Sequence, residues 1–351
     1  MSDYIGNGIV RGDVATLLLN SGFHAGALRP WRGSDGRSYI THQQGGKLQT
    51  VEIATNATLT KEEWKAIDET VMAAAQSRLA ATRAFIERGL VYNLTNGLSR
   101  TALESARASD ITGATVSMDP VRGGDQDRPE FDLVNLPLPV VHKDFSFSAR
   151  QLAASRNGNA PLDLTMAELA GRKVAEEIER LTLGIGATFT FGGGSVYGLT
   201  NFPQRITKTL TAPTASGWTP RKLLLEVLDM RKAANAAKHY GPWGLFFSPD
   251  WDPYLDDDFS TAKGDVTLRE RLAQIDGVEF VETANLLTGY QAILVQLSTD
   301  VIRIVNGLDV TTVQWESHGG LAVHFKVIAI TVPQVRADYH GNCGIVHGST
   351  A

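Results

Sequence analysis

Residues 136–203 read LPLPVVHKDFSFSARQLAASRNGNAPLDLTMAELAGRKVAEEIERLTLGIGATFTFGGGSVYGLTNFP. The centre of this stretch is one long amphipathic helix. Thr165 followed three positions later by Glu168 predicts a capping box, each side chain satisfying a free N–H of the first turn. Asp163 places an acid where the helix dipole favours one. Met166, Ala170, Val174, Ile178, Leu181 and Ile185 recur at spacings of three and four, an apolar stripe down one side. Glu168, Arg172, Glu176 and Arg180 alternate in charge along another face, the pattern of a solvated or interfacial surface. Gly184 and Gly186 stop the helix. Val140 to Phe147 before it predicts a strand, and a glycine hinge after it leads to Tyr197-Gly-Leu-Thr-Asn201. The predicted helix over 163–186 is therefore a spine to which other parts attach.

At 351 residues the chain can bury one large core or two modest ones. A hydrophobic fraction of 43% and a charged fraction of 20% are those of a globular protein, and a net charge of −5 argues against a surface clad in nucleic acid. No apolar run reaches the roughly 18 residues of a membrane span. The opening residues, MSDYIGNGIVRGD, lack the basic start and apolar core of a signal peptide. The single Cys343 excludes an intrachain disulfide framework. The sequons at Asn56 and Asn93 then read as chance, and the expected setting is cytoplasmic.

Residues 1–58 are glycine-rich with short apolar clusters, too little for an independent core. They read as an arm that gains order on other subunits, or as a loose tail. Thr60 and Glu63 predict a second capping box opening one helix from Lys61 to about Arg88, roughly 40 Å long at 1.5 Å per residue. Ile111–Met118 and Phe131–Leu138 are the clearest strands of a hairpin whose tip, residues 119–130, is polar and unable to pack a core. Thr219-Pro220 opens a helix to about His239. Gly244–Ser248 reads as a buried strand, and Thr267 with Glu270 as a third capping box. Strands follow at Val278–Glu282, Ala292–Leu297, Val301–Val305 and Val310–Trp315, a small α/β unit. Leu321–Val332 is a long strand closed by Pro333, and the tail from Val335 is expected to be extended.

Groups that would carry chemistry are weakly marked. Gly184-Ile-Gly186 and Gly192-Gly-Gly-Ser195 follow a helix, whereas a phosphate loop precedes one. Ser195 has no nucleophile elbow. His340, Cys343 and His347 lack a fourth ligand for a closed zinc site. His318 and His324 share a strand face and read as structural. Asp250, Asp252 and Asp256–Asp258 fit no calcium-loop spacing. No catalytic, cofactor-binding or metal residue is predicted, and no enzyme.

The order of parts is more specific. Leu59–Asp68, the run PLDLTMAELAGRKVAEE (161–177) inside Leu136–Gly186, Tyr197–Pro203, Gly241–Pro249, Val301–Glu316 and Leu321–Val332 together resemble the major capsid proteins of tailed phages. Within that HK97-like class they are most similar to the encapsulin (linocin-like) shell proteins, over Leu59 to about Val335. The resemblance implies an α+β fold with a long spine helix, an extended β-hairpin or E-loop, a peripheral (P) domain and an axial (A) α/β domain. It divides the chain into an N-terminal arm (1–58), the N-terminal helix and following strand region (59–108), the E-loop (109–136), a P domain (137–214 and 316–335), an A domain (215–315) and a C-terminal tail (336–351). It implies self-association as pentamers and hexamers in an icosahedral shell in a virion, assembled in a bacterial host's cytoplasm around double-stranded DNA held by weak non-specific contact. Scaffolding, portal and decoration proteins would be further partners, with no membrane and no cofactor.

Three departures shape that expectation. Encapsulins are shorter and lack so large an N-terminal extension, which favours a virus capsid over a cargo-enclosing compartment. Residues 109–136 contain no Lys, so Lys–Asn cross-linking from this loop is not expected. No long charged helical segment precedes Thr60, so no fused scaffolding domain is expected. A third reading, a soluble enzyme with an α/β domain, would need a pocket of converging polar groups.

Overall fold

The computed structural model describes residues 30–33, 37–44, 47–53, 61–76, 78–109, 113, 116, 118, 128–151, 164–259, 266–317 and 321–350. The chain begins with an antiparallel meander of β1 (Pro30–Arg32), β2 (Ser38–Gln44) and β3 (Lys47–Ile53). Part of the expected arm is thus paired strand, and Trp31 packs against the body. Helices α1 (Lys61–Gln76) and α2 (Ala81–Glu87) follow, then β4 (Val91–Asn93). β5 (Ala102–Ala108) and β6 (Phe131–Pro137) form a hairpin, and β7 (Val141–Ser148) leads to helix α3 (Thr165–Leu183). β8 (Phe189–Phe191) and β9 (Gly194–Val196) make a short hairpin, followed by β10 (Ile206–Leu210) and α4 (Pro220–Ala236). The remaining elements are β11 (Trp243–Phe247), α5 (Asp252–Leu255), α6 (Leu268–Ala273), β12 (Val278–Thr283), β13 (Gln291–Gln296), β14 (Ile302–Ser317), β15 (Ala322–Val335) and β16 (Ile345–Thr350).

Two sheets carry the body. The first runs β4-β14-β15-β7, with β4 parallel to β14 and the rest antiparallel. Its inner face supplies Val141, Phe145, Phe147, Val323, Phe325 and Val327 to a core closed by α1 and α3. Phe325 stacks on Phe145 at 5.0 Å and meets Trp64 of α1 edge-on at 5.8 Å. The two helices cross at Gly171. A Cβ there would lie 2.8 Å from the Val71 carbonyl oxygen, so the approach excludes any side chain. The second sheet runs β10-β16-β13-β11-β12 and buries two faces. One packs against α2 and the end of α3, the other against α4, α5 and α6.

Several sequence expectations need correction. The helix expected over 61–88 is two helices, because the backbone leaves helical hydrogen bonding between Gln76 and Ala81. The spine helix starts at Thr165 with Leu164 as its cap residue and no side-chain cap, so the Thr165–Glu168 box does not form. The Thr60–Glu63 box falls partly outside the described residues, while the Thr267–Glu270 box is present with both reciprocal bonds. The strand pairing with β6 is Ala102–Ala108, not Ile111–Met118, most of which lies outside the described residues, as do residues 119–127. Val301–Val305 and Val310–Trp315 are one strand, carried through by register shifts around Leu308. Pro333 sits within β15 and does not close it. Its partner Ile304 sends its N–H to Leu90, and β7 has already ended opposite Ala329, so no ladder bond requires the N–H that proline lacks. The C-terminal tail, expected to be extended, is so over β16, which is an interior strand parallel to β10 and antiparallel to β13.

Candidate assembly surface

The end of α3 is closed by backbone accounting. Gly184, left-handed at φ 78°, donates to Arg180 and Leu181 carbonyls, and Ile185 donates to Arg180. Leu199 N–H takes the Thr182 carbonyl and Thr200 N–H takes that of Leu183, while the Thr200 hydroxyl donates to Leu183 and Gly184. The Tyr197–Pro203 link, through Leu199 and Thr200, therefore caps the C-terminal end of α3. A Cβ on Gly198 would meet the Gly184 nitrogen at 2.3 Å.

A buried acid is the feature that sequence reading missed. Glu179, 1% exposed, accepts from the N–H groups of Ala81 and Thr82 at 2.6 and 3.0 Å and pairs with the Thr82 hydroxyl at 2.8 Å. Thr82 Oγ1 lies 2.9 Å from Thr182 Oγ1, which donates to Ile178 O. Burial raises the carboxyl pKa, against the lowering effect of the Thr82 and Ala81 donors. A protonated Glu179 would complete a one-way donor chain through Thr82 and Thr182 to Ile178. The signal in the sequence was spacing: Glu179 stands four positions from Ala175 and four from Leu183, both buried on the inner face of α3.

The β5–β6 hairpin is packed at its root and tied to the body farther out only by polar contacts, among them Tyr339 Oη donating to Glu130 at 3.4 Å. Leu103 and Leu136 are buried there, and Leu138 N–H donates to Thr101. Farther out, Phe131 and Leu133 are 69% and 68% exposed. Arg107 bridges Asp132 at 3.0 Å and the Asp338 carbonyl at 3.4 Å. The β8–β9 hairpin lies against β6, where Asn135 Nδ2 donates to the Gly192 carbonyl at 2.9 Å, and it exposes Phe189 and Phe191. Between this root and the end of β15 is a groove of about 610 Å³, walled by Ser105, Arg107, Leu133, Asn135, Gln334 and Arg336 among others.

The chemistry-bearing groups noted in the sequence do not converge. Gly192 and Gly193 are the left-handed turn of the β8–β9 hairpin, and Ser195 lies within β9. Arg269 donates to Asp252 and Asp256 at 2.8 Å each, so a guanidinium occupies the acidic run. Cys343 is buried, its S–H donating to the Arg336 carbonyl at 3.6 Å, and burial pushes its pKa up to about 12. His347 is held by Gln291 at 2.9 Å, and burial, with Arg205 beside it, pushes its pKa down to about 4. His340 sits against Tyr339, and His324 stacks on Trp315; His318 lies outside the described residues. Among the described residues no three His, Cys, Asp or Glu side chains are grouped to hold a metal. No described helix is long and apolar enough to cross a membrane.

A model of the Family of unknown function DUF6260 matches residues 53–348. The chain belongs to this family. The DUF6260 chain is also 22% identical over 193 residues to the type 1 encapsulin shell protein EncA of Myxococcus xanthus, a match spanning 54% of the chain and 61% of that protein, less than two thirds of its length. Among solved structures it resembles the virus-like particle from Pyrococcus furiosus, with TM-score 0.58 and 17% identity over 82% of this chain and 99% of that one. The capsid of Myoviridae phage XM1 matches with TM-score 0.56 and 11% identity over 76% and 91% of the two chains. The capsid of the native GTA particle matches with TM-score 0.53 and 13% identity over 79% and 90%. The likeness is one of fold: mixed helix and sheet, similar to the HK97-like capsid proteins and encapsulins, as the order of sequence segments implied.

Proposed function

We propose that this DUF6260 chain is the major capsid subunit of a tailed phage or prophage. Copies assemble as pentamers and hexamers into an icosahedral shell that encloses double-stranded DNA, with no catalytic role. In this reading α3 is the spine, the β4-β14-β15-β7 sheet with α1 and α3 is the P domain, the five-stranded sheet is the A domain, and the β5–β6 hairpin is the root of the E-loop. The observation that carries it is that hairpin. A two-stranded ribbon that exposes Phe131 and Leu133, with only polar contacts from Arg107 and Tyr339 tying its outer end to the body, has no apolar cover for them among the described residues of its own subunit, so a neighbouring copy is the natural source of one. The net charge of −5 suits enclosure of DNA rather than tight binding of it. Virion location, assembly in a host cytoplasm, and scaffolding, portal or decoration partners belong to the same proposal.

The match to EncA favours a second reading, a compartment shell around protein cargo. Expression of the full chain, followed by size-exclusion chromatography and negative-stain electron microscopy, tests both. Closed particles tens of nanometres across are expected, and nucleic acid or protein inside them separates the readings. A monomer or dimer that stays so with candidate scaffold and DNA added would overturn both.

A further inference from the structure

Beside the groove at the hairpin root, two arginines share one neutral acceptor. Gln334 is 3% exposed, and its Oε1 accepts from Arg303 Nε at 2.6 Å and from Arg336 Nη2 at 3.3 Å, while its Nε2 donates to Ser105 Oγ at 3.3 Å. Neither arginine forms an ion pair among the described residues; Arg303 otherwise lies over the Tyr92 ring at 4.2 Å. Burial lowers the Arg303 pKa and the neighbouring Arg336 lowers it further, with Tyr92 opposing both, so the two like charges repel and no carboxylate among the described residues pairs with either. Two half-buried guanidiniums directed at an amide oxygen leave most of their donors for an oxyanion, which they bind best as a fork.

The groove specifies more than an anion. Arg107 Nε and Asn135 Oδ1, both on its walls, are buried without a hydrogen-bond partner, one a donor and the other an acceptor. A polypeptide brings both complements, a carbonyl and an N–H, at every residue. Asp300 and Asp338 on the same walls would repel a run of phosphates, whereas one carboxylate on a peptide can sit at the arginines alone. Leu133, on the wall and largely exposed, gives apolar contact.

We propose that the Arg303–Arg336 pair and the groove beside it receive an extended segment of a second copy of this chain, one carboxylate of which is seated at the two guanidiniums. This rests on the shell reading, and charge complementarity selects the occupant. A chain of net charge −5 must bring like-charged copies together, and a cationic site for a neighbour's acid removes repulsion where the contact forms.

The full chain is compared with Arg303→Gln, Arg336→Gln and the double variant. The dissociated subunit is melted in sodium succinate and in sodium chloride at equal ionic strength. Succinate is expected to raise the wild-type melting temperature above its chloride value, and the double variant is expected to lose that difference. In assembly, each single variant is expected to raise the concentration needed for closed particles about tenfold or more. Equal succinate shifts in wild type and double variant overturn the anion site. Wild-type particles matched by the variants at the same concentration overturn the second-copy occupant and leave the shell reading standing. A succinate shift in a chain that never closes particles overturns the occupant together with the shell reading. A 20-mer oligonucleotide that raises the wild-type melting temperature where succinate does not overturns the carboxylate assignment. Should the double variant not fold, Arg336→Lys, which keeps the charge but not the fork, is expected to fold and keep only part of the shift.

Discussion

Glu179 Oε1 accepts the backbone N–H of Ala81 at 2.6 Å across 98 positions of sequence. With Oε2 on the Thr82 N–H, one carboxylate in the last turns of α3 caps the start of α2. Ala80, the residue at the cap position, has no side chain able to do so. The break between α1 and α2 therefore has a tertiary cause, and the N-terminal helices turn because the spine holds them.

Removing that carboxylate should be costly. Glu179→Ala orphans two buried N–H groups and leaves a void, an expected loss of about 2–4 kcal/mol in chemical denaturation. Glu179→Gln should cost less, since its amide oxygen still accepts. The pH dependence separates the two states of the wild-type carboxyl. Its folded pKa is raised above 4.5, so the folded state holds the proton longer than the unfolded chain. The stability it contributes is complete below the unfolded value and falls as pH rises through the folded one. The difference between wild type and Glu179→Gln should shrink as pH rises above 4.5; a difference that grows would mean the N–H donors outweigh burial.

Gly171→Ala opposes two effects of known size. Alanine improves intrinsic helix propensity by about 1 kcal/mol. Its Cβ would stand 2.8 Å from the Val71 carbonyl oxygen and 3.1 Å from the Val71 Cα, contacts with backbone that has nowhere to move. Overpacking of this kind costs about 1–3 kcal/mol. A net loss of stability is expected in the denaturation midpoint, and a gain would show that α1 and α3 can part without penalty.

Helix α3 was legible because its signals are local: a stripe at helical spacing and a glycine that fits φ 78°. The Thr267–Glu270 box was legible for the same reason. What escaped depends on partners distant in sequence. Residues 61–88 carry helical periodicity throughout, and only Glu179 reveals that the helix must break. β16 lies in a glycine-rich tail that read as extended, with no sign of the sheet it would join. Gly344 and Gly348 are tight packing positions, where a Cβ would meet Val301 at 2.8 Å and Leu210 at 2.9 Å. The hairpin's second strand was legible in Phe131–Pro137, but its first strand lies nearer the body than the β-branched run at 111–118 suggested, and most of the expected tip lies outside the described residues. The groove assembles residues more than 200 positions apart, and no motif spacing announces it.

His347 supplies an acid-side dependence. Its Nε2–H faces Gln291 Oε1 at 2.9 Å and its Nδ1 accepts from Arg205 at 3.4 Å, an arrangement for the neutral ring. Burial, with Arg205 second, pushes the folded pKa down to about 4 from 6.5. The stability it contributes is present above the unfolded value and is lost as pH falls from 6.5 toward 4. His347→Gln should flatten that part of the pH profile of the denaturation midpoint. Glu179 acts with opposite sign over an overlapping range, so each variant must be compared with wild type separately. An unchanged slope in His347→Gln would mean the ring is already protonated in the fold.

Phe131 and Leu133 separate folding from assembly. Both lie on the same face of β6 and are more than two-thirds exposed. Replacing an exposed residue alters stability by about 0.5 kcal/mol or less. Phe131→Ser with Leu133→Ser should therefore leave the melting temperature of the isolated subunit nearly unchanged. If a neighbouring copy covers these side chains, their burial there is worth about 1.5–3 kcal/mol each. Repeated at every subunit of a closed shell, such a loss shifts the assembly threshold far more than any single contact would. Light scattering against protein concentration should show a threshold at least tenfold higher, with fewer closed particles in micrographs. Shells forming at the wild-type threshold would show that this face stays bare in the assembly, and the hairpin would have to act through its polar edge instead.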